Sequence, residues 1–220
     1  QSAVSQFLVK AQNLRTTSWA RDDAARAAFL RAIAAELEVN RAAICARADA
    51  ETALGEKRLQ GELDRTCLQL RLFADHIEAA DWRQAVAHEG SVRMIKTLLP
   101  IGPVAVFGAS NFPLAYSVMG GDSASALAAG CPVIVKAHDA HPGTASLVAE
   151  AVHRAQVACQ APEGVFASHF LTHASAAQLV QHDAVAAVGF TGSLRVGRIL
   201  MDLAAARRRP IPVFAEMGSM

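Results

Sequence analysis

The sequence predicts an α/β protein in which an N-terminal helical segment precedes a five-stranded parallel sheet with helices on both faces. Three observations carry that prediction. Residues 1 to about 98 show apolar positions at helical spacing, short β-rich apolar runs begin at Ile101, and strands and helices then alternate along the chain. Such alternation describes a Rossmann-like sheet with right-handed crossovers. It divides the chain into a helical region, residues 1–100, and a sheet-forming domain, residues 101–220.

The elements follow in order. From Asp22 to Glu38, Ala25, Phe29, Ile33 and Leu37 keep a four-residue beat that places them on one helical face. Arg41–Leu54 repeats it, and Glu62–Ala80 repeats it again with Leu63, Leu70, Phe73 and Ile77. Arg21, Arg26, Arg31, Glu36, Arg41 and Arg47 fall mostly between the stripes and read as a solvated face. The pattern breaks near Asp81–Ser91. The expected strands are Pro103–Phe107, Pro132–Val135, Val165–Phe170, Ala184–Phe190 and Ile211–Phe214. The expected helices between them are Leu114–Ala129, Gly143–Cys159, Ala174–His182 and Leu194–Ala206. Ligands of such sheets bind beyond the carboxyl ends of the strands, so the residues just after each strand come under scrutiny.

Composition narrows the function. The 220 residues are 52% hydrophobic and 19% charged, enough for a sizeable core and incompatible with wholesale disorder. Lysine and arginine number 21 against 20 acidic residues, and a net charge of +1 argues against a nucleic-acid partner. The richest apolar stretch, Val118–Ala137, is interrupted by Gly120, Gly121, Asp122, Gly130 and Pro132, which argues against a membrane span. Cys45, Cys67, Cys131 and Cys159 are scattered, with no CxxC pair and no leader before them, and read as reduced thiols of a cytoplasmic protein.

Four strand ends carry candidate chemistry. The first leads into Gly108-Ala109-Ser110-Asn111-Phe112-Pro113, where the Asn111 amide could donate to a developing oxyanion although, taken alone, it reads more readily as a helix cap. The second ends in Lys136-Ala137-His138-Asp139, whose lysine could meet a ribose or phosphate or simply snorkel at a sheet edge. In Gly189-Phe190-Thr191-Gly192-Ser193-Leu194-Arg195-Val196-Gly197 a strand passes through small residues into a helix, exposing N–H groups to an anion unless it is an ordinary tight turn. The last ends in Glu216-Met217-Gly218, where a carboxylate beside an apolar neighbour could be a general base of raised pKa or a solvated glutamate. GxGxxG, GxSxG, HExxH and GxxxxGK[ST] are absent, and His138/His141 and His169/His173 lack a completing ligand, so no metal is expected. Cys131 reads as a small buried hydrophobe.

Together and in this order, these motifs resemble the N-terminal and cofactor-binding part of the aldehyde dehydrogenase superfamily. Phe107–Leu114 is similar to its oxyanion-hole asparagine motif, and Gly130–Lys136 to the strand bearing its ribose-binding lysine. Gly189–Ser193 resembles its pyrophosphate turn, and Glu216–Ser219 its general-base motif. The stretches Glu51–Gly55, Gly61–Thr66 and Gly120–Gly130, with Lys136-Ala137-His138, resemble bacterial 2,5-dioxovalerate (α-ketoglutaric semialdehyde) dehydrogenases and related fatty-aldehyde enzymes.

The resemblance implies NAD(P)-dependent oxidation of an aldehyde, such as 2,5-dioxovalerate, to the acid through a thiohemiacetal. It assigns Asn111 to the oxyanion and Glu216 to water activation. It makes residues 101–220 an NAD(P)-binding domain, with Gly108, Ala109, Ser110, Lys136, Asp139, Phe190, Thr191, Gly192, Ser193, Val196, Met217 and Gly218 at the cofactor. Phe112, Tyr116 and Met119 would face the aldehyde, with Tyr116 and Met119 one helical turn past Asn111 and open to water in this chain. A homo-oligomer is implied for a full-length member. The family's nucleophilic cysteine lies beyond Glu216, and none of the four cysteines here stands in its motif. The 220-residue chain alone is therefore expected to be inactive and prone to associate through exposed apolar surface. Asp139 stands where NADP-using relatives carry a small or hydroxyl residue, which favours NAD, and 167–173 lacks a glycine usual in that cofactor loop. Two other readings stand beside this one: a non-catalytic nucleotide-binding module, and an acyl-CoA-forming or phosphate-ester-reducing relative, against which Glu216 argues.

Overall fold

The computed structural model describes residues 3–14, 17–79 and 81–219. Its helices are α1 (Ala3–Leu14), α2 (Asp23–Val39), α3 (Arg41–Thr52), α4 (Glu56–Glu78), α5 (Gly121–Ala128), α6 (Pro142–Ala158), α7 (His173–Gln181) and α8 (Leu194–Ala205). The strands are β1 (Val86–His88), β2 (Met94–Lys96), β3 (Val104–Phe107), β4 (Val133–Lys136), β5 (Phe166–His169), β6 (Ala187–Ser193) and β7 (Val213–Ser219). The last five form one parallel sheet in the order β5-β4-β3-β6-β7, so the chain leaves β3 first to one side and then to the other. That reversal opens a crevice between β3 and β6 at their carboxyl ends.

Two apolar layers hold the sheet. Val104, Val106, Val133 and Val135 point to one face and pack with Phe29, Ile33, Leu37, Leu63 and Leu70 of α2 and α4 and with Val148 and Val152 of α6. Ala105, Phe107, Ile134, Val188 and Phe190 point to the other and meet Phe7, Leu8, Leu179 and Leu200 of α1, α7 and α8. Alternate strand residues serve opposite layers because side chains alternate along a strand. Each fully buried aliphatic side chain contributes roughly 1.5–3 kcal/mol. α2 begins where Asp22 accepts a hydrogen bond from the Ala25 N–H, a cap worth about 1 kcal/mol.

Several expectations are corrected. Residues 114–129 are not one helix: 113–120 form a succession of turns, and α5 starts only at Gly121. Arg26 is not solvated but fully buried, donating to the carbonyls of Ala128 (3.0 Å) and Ala20 (2.9 Å) and pairing with Asp23. Burial alone would raise the Asp23 carboxyl, but hydrogen bonds from Arg83 and Arg26 and the charge of Arg26 take it below its ordinary value. The break after α4 holds an antiparallel pair, β1 with β2, unforeseen in a region read as helical. α4 begins six residues ahead of the expected start, running through Gly61 because Leu59 and Leu63 on either side are fully buried. β6 and β7 continue through Ser193 and Ser219, so Thr191–Ser193 and Glu216–Gly218 lie within paired strands rather than after them. Ala80 and Met220, at the expected ends of a helix and of the chain, lie outside the described residues.

Candidate functional site

The loop leaving β3 is held at several points along its length. The Ala109 N–H donates to the Tyr116 carbonyl at 2.8 Å, and the Ala109 carbonyl lies 2.9 Å from Nε2 of the fully buried His141. From α4, a single Glu62 oxygen accepts the N–H groups of Leu114 (2.8 Å) and Ala115 (2.9 Å). At Gly120 a Cβ would collide with the Ala115 carbonyl, so only glycine lets the chain turn back into α5. Asn111 stands exposed at the tip of this braced loop, and its side-chain amide has no hydrogen-bond partner among the described residues. It is not a helix cap, because no helix starts there. Phe112 and Tyr116 meet edge to face at 5.1 Å and are covered by arginines of α4: Arg58 lies 4.9 Å from the Phe112 ring centre and Arg65 lies 4.8 Å from that of Tyr116.

Beyond the crevice lies a groove of about 610 Å³. It gathers Gly108, Ser110, Lys136, Asp139, Phe190, Thr191, Gly192, Ser193 and Val196, nine of the twelve residues expected at a cofactor. Sheet register explains the convergence, since Lys136, Phe107 and Phe190 stand level across β4, β3 and β6. Lys136 Nζ pairs with Asp139 Oδ2 at 3.1 Å, the lysine largely covered and the carboxylate mostly exposed. Ser193 caps α8, accepting from the Val196 N–H at 3.4 Å, so the positive end of that helix opens on the groove. Val196, Ile199, Leu200 and Leu203 line one wall at helical spacing. Apart from Val196, that stripe, with His138, His173 and Arg195, was not assigned from sequence, although the 3–4 periodicity of α8 could have revealed it. Burial, the neighbouring His141 and Lys136 lower the pKa of His138, leaving its ring neutral at pH 7.

Three expected cofactor residues lie outside the groove. Ala109 is buried beneath it, Met217 packs against Gly197 of α8, and Gly218 lies on the edge strand. Met119 does not face water or a pocket; it is 1% exposed in the core. Tyr116 is half-buried.

Glu216 is exposed on β7, one residue beyond the level of Phe107 across the sheet. Asp122, at the start of α5, is a carboxylate raised above its ordinary range, by burial first and by the charge of Glu216 second. Asp122 lies so close to β6 that a Cβ on Gly189 would be 2.9 Å from its Oδ2. Beside it Leu99, Ile101 and Phe214 line a smaller apolar hollow of about 240 Å³. No hydrogen bond joins Asn111 and Glu216 among the described residues. None of the cysteines lines the groove: Cys45, Cys67 and Cys131 are buried, Cys159 is half-buried, and burial pushes the Cys67 thiol up to about 11. No helix among the described residues is long and apolar enough to cross a membrane.

A family model described as the aldehyde dehydrogenase family matches residues 1–220. The chain is 51% identical over 208 residues to alpha-ketoglutaric semialdehyde dehydrogenase 2 of Azospirillum brasilense, covering 90% of this chain and 39% of that protein. It is 44% identical over 203 residues to alpha-ketoglutaric semialdehyde dehydrogenase of Acinetobacter baylyi, covering 89% and 38%. The chain thus spans about two-fifths of the length of these curated relatives. Succinic semialdehyde dehydrogenase of Streptococcus pyogenes, solved with NADP+, superposes with a TM-score of 0.82 at 21% identity, over 98% of this chain and 46% of that one, and shares the fold.

Proposed function

Because this chain belongs to the aldehyde dehydrogenase family, we propose that it supplies the cofactor-binding and oxyanion-binding parts of a nicotinamide-dependent oxidation of a short, carboxylate-bearing aldehyde such as α-ketoglutaric semialdehyde. The observation that carries this reading is the groove. A dinucleotide needs an apolar wall for its adenine, donors and acceptors for a ribose, and an anion site for its pyrophosphate. The α8 stripe, the Lys136–Asp139 pair and the Ser193 cap at the α8 N-terminus match those needs in that order. A nicotinamide held there would supply the acceptor for a hydride from the substrate carbon.

The chain's own residues take the remaining roles. The unpartnered Asn111 amide donates to the oxygen that becomes negative as the aldehyde is attacked, and the braced loop holds it in place beforehand. Glu216 takes a proton from the water that releases the acid. Phe112 and Tyr116 shape the approach. Cys45, Cys67 and Cys131 are buried, and Cys159 is half-buried with its Sγ on the Ala28 carbonyl and outside the groove. Burial holds Cys45, Cys67 and Cys159 as thiols, so none of the four can act as a thiolate nucleophile at this loop. The isolated 220-residue chain therefore binds cofactor without oxidising aldehydes. An NADH-fluorescence assay with short aldehydes checks this, and turnover persisting through purification would refute it.

Asp139 sets the cofactor preference. Its exposed carboxylate accepts from ribose hydroxyls and repels a 2′-phosphate. Calorimetry should show NAD binding roughly tenfold tighter than NADP, a difference of about 1.4 kcal/mol. Asp139→Thr should narrow or reverse that gap. Equal affinities in the wild type would overturn the assignment.

A further inference from the structure

α4 carries three arginines, and the structure treats them differently. Arg71 pairs with Glu38 at 2.6 Å, as Arg31 and Arg41 of the neighbouring helices pair with Glu78 and Asp64. Arg58 and Arg65 are exposed, and among the described residues neither lies within ion-pair distance of a carboxylate. Of the two carboxylates between them on the same helix, Glu62 is buried and committed to the N–H groups of Leu114 and Ala115, and Asp64 pairs with Arg41. Seven residues separate the two arginines, about two helical turns, so they share one face of α4.

That face looks onto the Asn111 loop. Arg58 donates to the Asn111 carbonyl at 2.7 Å and lies over Phe112, while Arg65 bonds the Tyr116 hydroxyl and lies over its ring. An arginine bears five N–H donors, and each of these two spends a single terminal nitrogen within the chain. The ring contact and the single hydrogen bond hold each guanidinium beside the loop and leave its other donors unspent, and a guanidinium fork matches a carboxylate. Uncompensated positive charge, ordered donors and two aromatic faces thus converge on the loop that presents the Asn111 amide.

We infer that Arg58 and Arg65 form the subsite for the carboxylate of the substrate, holding that end of the molecule while Phe112 and Tyr116 cover its short carbon chain and Asn111 meets the aldehyde oxygen. The inference rests on the proposed function and adds to it the residues that select a carboxylate-bearing aldehyde over a neutral one.

The test uses the isotopically labelled 220-residue chain, with glutarate as the charged probe and glutaramide as its uncharged counterpart. In NMR titrations glutarate should shift the Nε–Hε signals of Arg58 and Arg65, and glutaramide should leave them in place. Arg65→Gln should weaken glutarate binding roughly tenfold, Arg65→Lys less because charge survives without the fork, and the double Arg58→Gln/Arg65→Gln variant should abolish it. Glutarate that leaves both signals unmoved, binds the double variant as well as the wild type, or is matched by glutaramide overturns the subsite. NADH fluorescence on the same samples separates the two readings. If NADH binds and glutarate is ignored, the subsite falls and the proposed function stands. If NADH fails to bind, the proposed function falls, and the substrate role of the arginines falls with it.

Discussion

Asn111 and Glu216 stand near the carboxyl ends of strands in one sheet, and the molecule holds them in opposite ways. The Asn111 loop is clamped from below by His141, from the side by Glu62 and from behind by the close approach at Gly120. Glu216 sits on the edge strand, where Val213, Ala215 and Met217 lean on the layer beneath while Phe214 and Glu216 face outward. The first residue is positioned by helices distant in sequence. The second is positioned by its own strand, through the ladder to β6 and the packing of the alternate residues. Preorganisation of an oxyanion donor needs the first arrangement, because any movement of the amide during reaction costs stabilisation.

Breaking the clamp should have the largest effect. Glu62→Ala leaves two buried N–H groups without an acceptor, each worth roughly 1–3 kcal/mol, so a loss of about 3 kcal/mol in chemical denaturation is expected. Glu62→Gln should recover about half. If Glu62→Ala costs under about 0.5 kcal/mol, the loop does not depend on α4.

A smaller effect lies between the two regions, at Asp122. Its folded pKa is raised by burial and by Glu216, so between the unfolded value near 3.8 and the folded value the native state binds the proton more tightly. Stability must then fall as pH rises through that window. Asp122→Asn should stabilise the protein by about 1 kcal/mol at neutral pH, a gain that vanishes in acid below the unfolded carboxyl pKa. A gain that is the same at pH 3 and pH 7 would show that charge is not its origin.

The smallest effect belongs to the open edge. Phe214 is 63% exposed, so Phe214→Ser should change stability by no more than about 0.5 kcal/mol while reducing the binding of an apolar dye to the hollow it lines. A cost approaching that of Glu62→Ala would mean that the edge is as firmly packed as the loop.

Legibility tracked distance along the chain. α6, α7 and α8 lie within a residue or so of their expected bounds, as do the starts of β3 and β4, because helical periodicity and short β-branched runs are written locally. Lys136, Gly192 and Ser193 could be singled out because strand-to-helix junctions are also local. Arg26 was misread because its partners, the carbonyls of Ala20 and Ala128, include one about a hundred residues away. Residues 114–129 were misread because apolar side chains continue through Leu114, Val118 and Met119 while the backbone is diverted by Glu62 and by the contact at Gly120. The lengths of β6 and β7 are likewise set by their pairing with each other, which neither segment encodes alone.

The sequence by itself determined the α/β class, the strand-end motifs and the family resemblance, since each rests on residues close enough to be read together. Only the tertiary structure decided that β3 and β6 adjoin at the reversal of strand order, opening the groove there. It alone set Arg58 and Arg65 on the rings beside Asn111, drew Met119 into the core, and raised the pKa of Asp122 by burying it near Glu216. The reason is physical: burial, charge coupling and close backbone approach depend on what folds against a residue from elsewhere, and no local pattern records that.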